Sequence, residues 1–586
     1  MEDGVRRQER RQHLSRSAGR FTLGTVSEQT PVTPHPGEEL LRVAEAVHAG
    51  EVTVAFTPGP TVLAKVGEKL LDIAEASQVS IDSGCRMGMC GSDPVRILEG
   101  DENLSKMRSA ERRTLERLGL GADCRMACVS RVQGPVVVDP QPGLEAPSES
   151  KDGEPQRLAV TGDDALRRAI RRVVVVGAGV AGVTAAEEVR RALPDTELTL
   201  IGDEPYAFYN RMAITRLVSE SVSIESLYLN RRDWAESRRI DYRRGVPATA
   251  IDRANREVHL ADGERLPYDR AVIATGARPL VPPIEGVGTE GSFMLRTIDD
   301  AVQIQQHIRR RRCRTAVIVG AGLLGLEAAY YLTQLDVRVR VLDRGPWPLS
   351  RQLDEHAGAL LWEMLQDLGI ELLPKTEAQR VLSDDAVTGV ELIDGGSIEA
   401  ELCLIATGIL PNSELAEAAG LEVAVGVTVD DGMQTSDPHV FAVGDVVDHN
   451  GRRYGLWPAS VEQAQVAAAR MIGSEAAFQL PAQPARLKVP GIDLLSIGVV
   501  DAAGGESRTV AVSAYGTRRY RKLILEQGRL TGAIILGSPE LFDDVTKAVE
   551  IGLDLGSDLD ALERGKWQAL SRGVEGGTLA LGVSAT

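Results

Sequence analysis

The chain has 586 residues, 43% hydrophobic, 26% charged and only 4% aromatic, which is material for about four domains with buried cores and too much for one small binding module. Lys and Arg number 66 against 84 Asp and Glu, and the formal charge of -18 repels phosphate backbones and anionic bilayers, so nucleic acid and membrane surfaces are set aside as partners. No stretch supplies the roughly 18 apolar residues of a spanning helix, and the opening MEDGVRRQERRQHLSRSAGRF lacks the apolar run of a signal peptide, so a soluble, cytoplasmic protein is expected.

Residues 1–48 mix Arg, Glu, Ser and Pro without an apolar period and are expected to form a disordered tail. A small domain is read over 49–138. Val52, Val54 and Phe56 alternate as a strand, Thr57-Pro58-Gly59-Pro60 turns the chain, and Leu63, Val66, Leu70 and Ile73 recur at helical spacing. A cysteine-bearing loop and a polar helical stretch follow, and Val136-Val137-Val138 closes the unit. Four of the six cysteines fall here, at Cys85, Cys90, Cys124 and Cys128, and clustering in a large intracellular chain favours metal over disulfides. Residues 139–168, rich in Pro, Ser and acid over their first half, read as a linker.

Beyond the linker the chain repeats itself. Each copy opens with an apolar strand and a Gly-x-Gly-x-x-Gly turn, passes an Asp-Gly hairpin signal (Asp262-Gly263, then Asp394-Gly395), and closes on a strand ending Ala-Thr-Gly. The first fingerprint, VVVVGAGVAG, carries Gly177, Gly179 and Gly182, and leads to Thr275 and Gly276. The second, VIVGAGLLGLE, carries Gly320, Gly322 and Gly325, and leads to Gly408. Glycines at these places allow the tight turn, the approach of backbone to a pyrophosphate and close helix packing. An acid about twenty residues on should receive a ribose hydroxyl. In the first copy it is Asp203, 21 residues past Gly182, with Glu204 the other candidate; in the second it is Asp343, 18 residues past Gly325. Asp343 repels a 2'-phosphate and favours NADH, although Arg344 beside it keeps NADPH open. Glu327 either steers a nicotinamide or is a charge favoured at a helix N-terminus, and Trp457 either flanks a ring or packs. From 481 the texture changes to alternating strands (LLSIGVV, RTVAVSAY), the hairpin YRKLILEQGRLTGAIIL and a mixed helical end, read as an α+β cap over 481–586.

With both fingerprints in register, the chain from about 172 onward resembles the two-dinucleotide FAD/NAD(P) reductases, including ferredoxin and rubredoxin reductases and the flavin portion of the nitrite reductase large subunit. TSDPHVFAVGDVV, GLWPASVEQAQVAA and LKVPGIDLLSIG carry the likeness further. The resemblance implies that Asp445, after Gly444, meets the ribityl chain of FAD and that Arg211 of the Tyr209-x-Arg211 segment lies near its pyrophosphate. It also implies an FAD-binding domain split over 169–297 and 410–480, with an NAD(P)-binding domain over 298–409 inserted. The fold class expected is therefore α/β, two Rossmann-like domains with an α+β C-terminal cap and an N-terminal β-grasp ferredoxin-like domain.

That last part rests on SGCRMGMCGSDPV and GADCRMACVSRV. Cys85-x4-Cys90 in a glycine-rich loop resembles a plant-type [2Fe-2S] ferredoxin, whose pattern is C-x4-C-x2-C and a distant C. Arg-Met-Ala-Cys matches the last-ligand motif, which makes Cys128 the final ligand. Asp93 stands where the third cysteine belongs, and Cys124 is an extra thiol. Either completes the shell, Asp93 as a harder and unusual oxygen ligand or Cys124 as a fourth thiolate from a rearranged loop, with a slight preference for Cys124.

Disulfide reductases of this superfamily need a cysteine pair beside the flavin, and FYNRMAITRLVS has no cysteine at all, so disulfide chemistry is not expected. The reading is an NAD(P)H oxidoreductase passing electrons from NADH through FAD to the fused cluster, and on to a ferredoxin-, rubredoxin- or nitrite-reductase-like acceptor. The chain names no acceptor, and a homodimer is one option for its assembly. The alternative is a non-catalytic redox sensor of the apoptosis-inducing-factor type.

Overall fold

The computed structural model describes residues 50–142, except 82, 83 and 85–87, and 163–574, except 480, 481, 502–506, 515, 516, 568 and 571. The tail expected over 1–48, most of the linker and Cys85 lie outside the described residues.

The N-terminal domain is a five-stranded mixed sheet, Glu51–Phe56 lying between Thr61–Lys65 on one side and Val136–Asp139 on the other, with Pro94–Glu99 and Cys124–Met126 beyond. Val54 sits beside Val136 in the parallel central pair. Val52, Val54 and Phe56 point into a core closed by the helix Leu70–Ala76, the arrangement of a β-grasp. The helical spacing from Leu63 misled: Thr61–Lys65 is a strand paired antiparallel with Glu51–Phe56, and Leu63 is 60% exposed, so its apolar side chain reports an edge strand rather than a helix face.

Two sheets of five parallel strands follow. The first runs Val440–Ala442, Arg270–Ile273, Arg172–Val176, Glu197–Gly202, Asp241–Arg244. The second runs Ser292–Met294, Leu402–Ile405, Thr315–Val319, Arg338–Asp343, Ile370–Pro374. Their central strands are unbroken valine and isoleucine runs, as sheets covered on both faces require. The first sheet is completed only when the chain returns at Val440–Ala442, whose following helix Trp457–Met471 packs on the helix Val180–Ala192. Ser292–Met294 pairs with Leu402–Ile405, so the chain has entered the second sheet before residue 298. Both Asp-Gly signals turn antiparallel hairpins, and a short ladder, Ala277–Pro279 against Ile409–Pro411, joins the two nucleotide-type domains. The cap is a five-stranded antiparallel sheet with the helix Phe542–Glu550 on it. Among the described residues no helix is long and apolar enough to cross a membrane.

Candidate functional site

The two fingerprint turns are built alike. A Cβ at Gly177 would lie 2.1 Å from the Ala274 carbonyl oxygen, and one at Gly182 1.7 Å from that of Gly177. In the second copy the same atoms would meet at 2.5 Å (Gly320 to Ala406) and 2.0 Å (Gly325 to Gly320). The middle glycines, Gly179 and Gly322, would meet nothing within 4 Å. First and third glycines thus serve packing, and the middle ones leave an open approach. Gly179 and Gly322 are also the N-caps of Val180–Ala192 and Leu323–Thr333, and neither helix has a side-chain cap, whereas Ile298–Arg311 is closed by Thr297 and Asp300. Free amides at the positive end of a helix dipole suit a pyrophosphate.

A cavity of about 1130 Å³ opens from the first cradle toward the second. Gly177, Gly179, Thr275, Gly276 and Asp445 line it from the first domain, and Leu324 and Glu327 from the second. Gly444 adopts φ +85°, a Cβ there would lie 2.7 Å from that of Ala181, and its amide donates to Gln463 Oε1 at 2.7 Å, so only glycine lets the loop with Asp445 come this close. Asp445 accepts from Arg296 Nη2 at 2.8 Å, a partner that no motif marked, since Arg296 precedes the capped helix start at Thr297 without any local signature. Thr275 donates to the Asn412 carbonyl at 2.8 Å and Asn412 returns a bond to Thr275 at 2.9 Å, so the two Ala-Thr-Gly ends are tied together.

Asp203 and Glu204 both line the cavity, but their roles diverge. Glu204 is taken by Tyr209, which donates to it at 2.8 Å, and by Arg211; Asp203 stays exposed at the strand end. Arg211 also donates to the Arg296 carbonyl at 2.6 Å and lies over the Tyr209 ring. Asp343 accepts from the amides of Ala321 and Gly345, both at 2.6 Å, which fixes its carboxylate at the mouth of the second glycine turn. Gly408 adopts φ +128° and accepts through its carbonyl from Leu280. Glu327 is buried and accepts from the Lys488 amide of the cap at 3.2 Å; burial raises its carboxyl, with Lys488 opposing. Trp457 is buried against Phe208, 5.8 Å between centroids. Among the described residues no cysteine lines the cavity.

The cysteine loop seats against this cavity. Gly84 is one of its lining residues, and Cys90 and Met89 pack with the core of the first nucleotide-type domain. Asn210 Nδ2 donates to Ser92 Oγ at 2.6 Å, and Ser92 Oγ lies 3.2 Å from Cys90 Sγ. Arg117 donates to the Met89 carbonyl at 2.9 Å while lying over Phe208. Further out, Arg113 pairs with Glu188 at 3.3 Å, and Lys69 and Arg131 meet Asp543 of the cap. Within the loop the Gly88 amide donates to Cys128 Sγ at 3.2 Å, and Asp93 Oδ2 accepts from the Cys128 amide. Burial, then the neighbouring Cys90, push the Asp93 carboxyl up to about 7, and burial holds the Cys128 thiol well above its ordinary range. Cys124 is elsewhere: it pairs across the sheet with Arg96, and burial with Asp123 pushes its thiol up to about 11. Among the described residues no three such side chains reach a single metal ion. A two-iron cluster does not ask for that, since it takes two protein ligands per iron. An amide aimed at sulfur and a buried carboxylate oxygen without a partner fit such a group.

Fold and site together define a two-dinucleotide flavoprotein that binds FAD and NAD(P)H and carries a ferredoxin-type [2Fe-2S] domain. By sequence the chain belongs to the pyridine nucleotide-disulphide oxidoreductase family, whose model matches residues 171–468. The rubredoxin NAD+ reductase C-terminal domain matches 484–553 and the 2Fe-2S iron-sulfur cluster binding domain 56–133. It is 34% identical over 388 residues to a nitrite reductase [NAD(P)H] of Bacillus subtilis, covering 65% of this chain and 48% of that one. It is 30% identical to the ferredoxin–NAD(+) reductase component of a biphenyl dioxygenase system of Paraburkholderia xenovorans, covering 68% of this chain and 99% of that one. The covalent putidaredoxin reductase–putidaredoxin complex superposes with a TM-score of 0.60 at 28% identity, over 66% of this chain and 94% of that one. The chain spans about half the length of the bacterial nitrite and nitrate system relatives it matches.

Proposed function

We propose that this chain is an NAD(P)H:acceptor oxidoreductase whose first one-electron acceptor is its own ferredoxin domain, which then serves an external electron-transfer protein or redox enzyme in the cytoplasm. The observation that carries the reading is the seat of the cysteine loop, with Gly84 on the wall of the same cavity as Gly177 and Asp445. Bound FAD supplies the conversion of a hydride pair into single electrons, which an iron-sulfur centre takes one at a time.

The protein's part is binding and placement. The open helix starts at Gly179 and Gly322 receive the two pyrophosphates, and Arg296 pairs with Asp445 on the cavity wall and fixes its position there. Asp203 and Asp343 stand at the two strand ends where a ribose hydroxyl is bound. Glu327 and the cap segment at Lys488 shape the side of the cavity that faces the second cradle. Asn210, Ser92 and Arg117 hold the cluster loop against the first domain. The putidaredoxin reductase–putidaredoxin complex pairs a reductase of this fold with a carrier, and the names of the nitrite reductase and dioxygenase relatives point to redox enzymes as final acceptors.

Anaerobic titration with NADH, followed by visible absorbance and low-temperature EPR, tests this. Flavin bleaching should be followed by a cluster signal, at a rate independent of protein concentration. A flavin that bleaches while the cluster stays oxidised, or a rate that rises with concentration, would refute the intramolecular route.

A further inference from the structure

We propose that Asp93, rather than Cys124, ligates the iron-sulfur cluster, setting one carboxylate beside the thiolates of Cys90 and Cys128. The inference rests on the N-terminal domain being an iron-sulfur domain, as argued above.

Asp93 is three residues beyond Cys90, the slot of a C-x2-C ligand, and is only 1% exposed. Its backbone carbonyl accepts from the Ala127 amide at 2.9 Å and its Oδ2 from the Cys128 amide, which pin the side chain beside the last ligand. Oδ1 is buried with no hydrogen-bond partner. Cys90 and Cys128 both lie against this carboxylate. A buried carboxylate among sulfurs, with one oxygen unpaired, is costly unless a cation meets it. Ferric iron is such a cation, and a hard one that accepts oxygen.

Cys124 lies on the wrong part of the sheet. Met126 is opposite Pro94 and Cys124 opposite Arg96, so Asp93 is level with Ala127, and Cys124 is three residues further along the strand, about 10 Å at roughly 3.3 Å per residue. Its sulfur is buried in the domain core next to Arg96 and Asp123. Two iron environments follow from the assignment: one iron held by sulfur alone, the other by sulfur and one oxygen.

The test uses the full chain, loaded with 57Fe and purified without air. Iron and sulfide content, EPR g-values and Mössbauer spectra are read for the unmodified chain and for Cys124→Ala, Asp93→Ala and Asp93→Cys, with the flavin-to-chain ratio reporting that the rest is folded. The unmodified chain should hold about two irons and show two Mössbauer doublets of equal area. Cys124→Ala should keep the iron and the spectra. Asp93→Ala should lose at least half the iron with flavin retained, and Asp93→Cys should keep the cluster while the doublets converge and the g-values shift. Iron lost from Cys124→Ala but kept in Asp93→Ala overturns the proposal, as does an Asp93→Cys spectrum identical to that of the unmodified chain. If both alanine variants lose iron, the Asp93→Cys spectrum decides: shifted supports the carboxylate, unshifted overturns it. An unmodified chain without iron and sulfide after reconstitution refutes the iron-sulfur domain itself, which is a separate failure.

Discussion

Asp543→Asn should loosen the ferredoxin domain from the cap and slow its reduction without touching hydride transfer. The Asp543 carboxylate is about a third exposed, at 34%; it meets Lys69 Nζ at 2.7 Å and Arg131, both from the ferredoxin domain, and Arg486 of the cap at 3.9 Å. Only the first two pairs cross the interface. At this exposure each contributes about 1 kcal/mol, so the substitution removes about 2 kcal/mol of docking. That corresponds to about 30-fold in the docked equilibrium. Three cations left facing one another add to the loss, while Arg113 with Glu188 and Asn210 with Ser92 still hold the domain. Anaerobic stopped flow separates the steps: bleaching of the flavin by NADH should be unchanged, and cluster reduction should slow by up to about 30-fold. Raising the ionic strength from 0.1 M to 1 M shortens the Debye length from about 10 Å to about 3 Å, so the unmodified chain should slow toward the variant. Burial raises the Asp543 carboxyl, but Lys69, Arg131 and Arg486 outweigh it and hold the group below its ordinary 3.8. Docking is therefore full above that ordinary value and fades as pH falls through the lowered one. Equal cluster reduction rates in the two proteins, at low and at high salt, would refute the reasoning.

Gly322→Ala, with no atom within 4 Å of the new methyl, should fold with normal flavin content yet raise KM for NADH at least about 10-fold, because the methyl stands where the backbone must approach a pyrophosphate. Gly325→Ala, 2.0 Å from the Gly320 carbonyl, should instead lower Tm, which thermal melting of the pair will distinguish. Asp343→Ser should shift the NADPH to NADH ratio of kcat/KM upward by about 10-fold, since one charge opposing a 2'-phosphate is gone; steady-state kinetics with both nucleotides checks it. Glu327 has a carboxyl raised by burial, so the folded state keeps its proton better than the unfolded one, and stability declines as pH rises from 4.5. Glu327→Gln should match the unmodified chain in Tm below pH 4.5 and exceed it above, and no gain at pH 8 would contradict that sign. Ser92→Ala removes the hydroxyl beside Cys90 Sγ and should lower the cluster potential, because a hydrogen bond to sulfur favours the more negative reduced state; spectroelectrochemistry reads it.

Local signals carried most of the fold. The paired glycine turns, the valine strands and both Asp-Gly hairpins are specified within a dozen residues of chain, and each appears where its pattern stands. Leu63 and Val66 failed because two apolar residues three apart fit a helix face and an exposed edge strand equally. Ser292–Met294 is three residues long, too short for any period to reveal. The site was legible where chemistry sits on one motif, as at Gly177 or Asp445, and illegible where it is assembled across the chain. Arg296 reaches Asp445 over 149 residues and Asn210 reaches Ser92 over 118, separations that no window spans. The choice between Asp93 and Cys124 turns on strand register, which fixes depth along the sheet and leaves no trace in composition.

Because the ferredoxin domain and the FAD cradle belong to one polypeptide, translation sets their stoichiometry at one to one, and the tether keeps their effective concentration in the millimolar range however scarce the protein is. A freely diffusing carrier must find its donor anew for every electron, at a frequency that falls with dilution. On the proposed intramolecular route, with Gly84 already at the cavity wall, a first-order hop would replace that search and leave only the onward journey from the cluster subject to supply and demand in the cell.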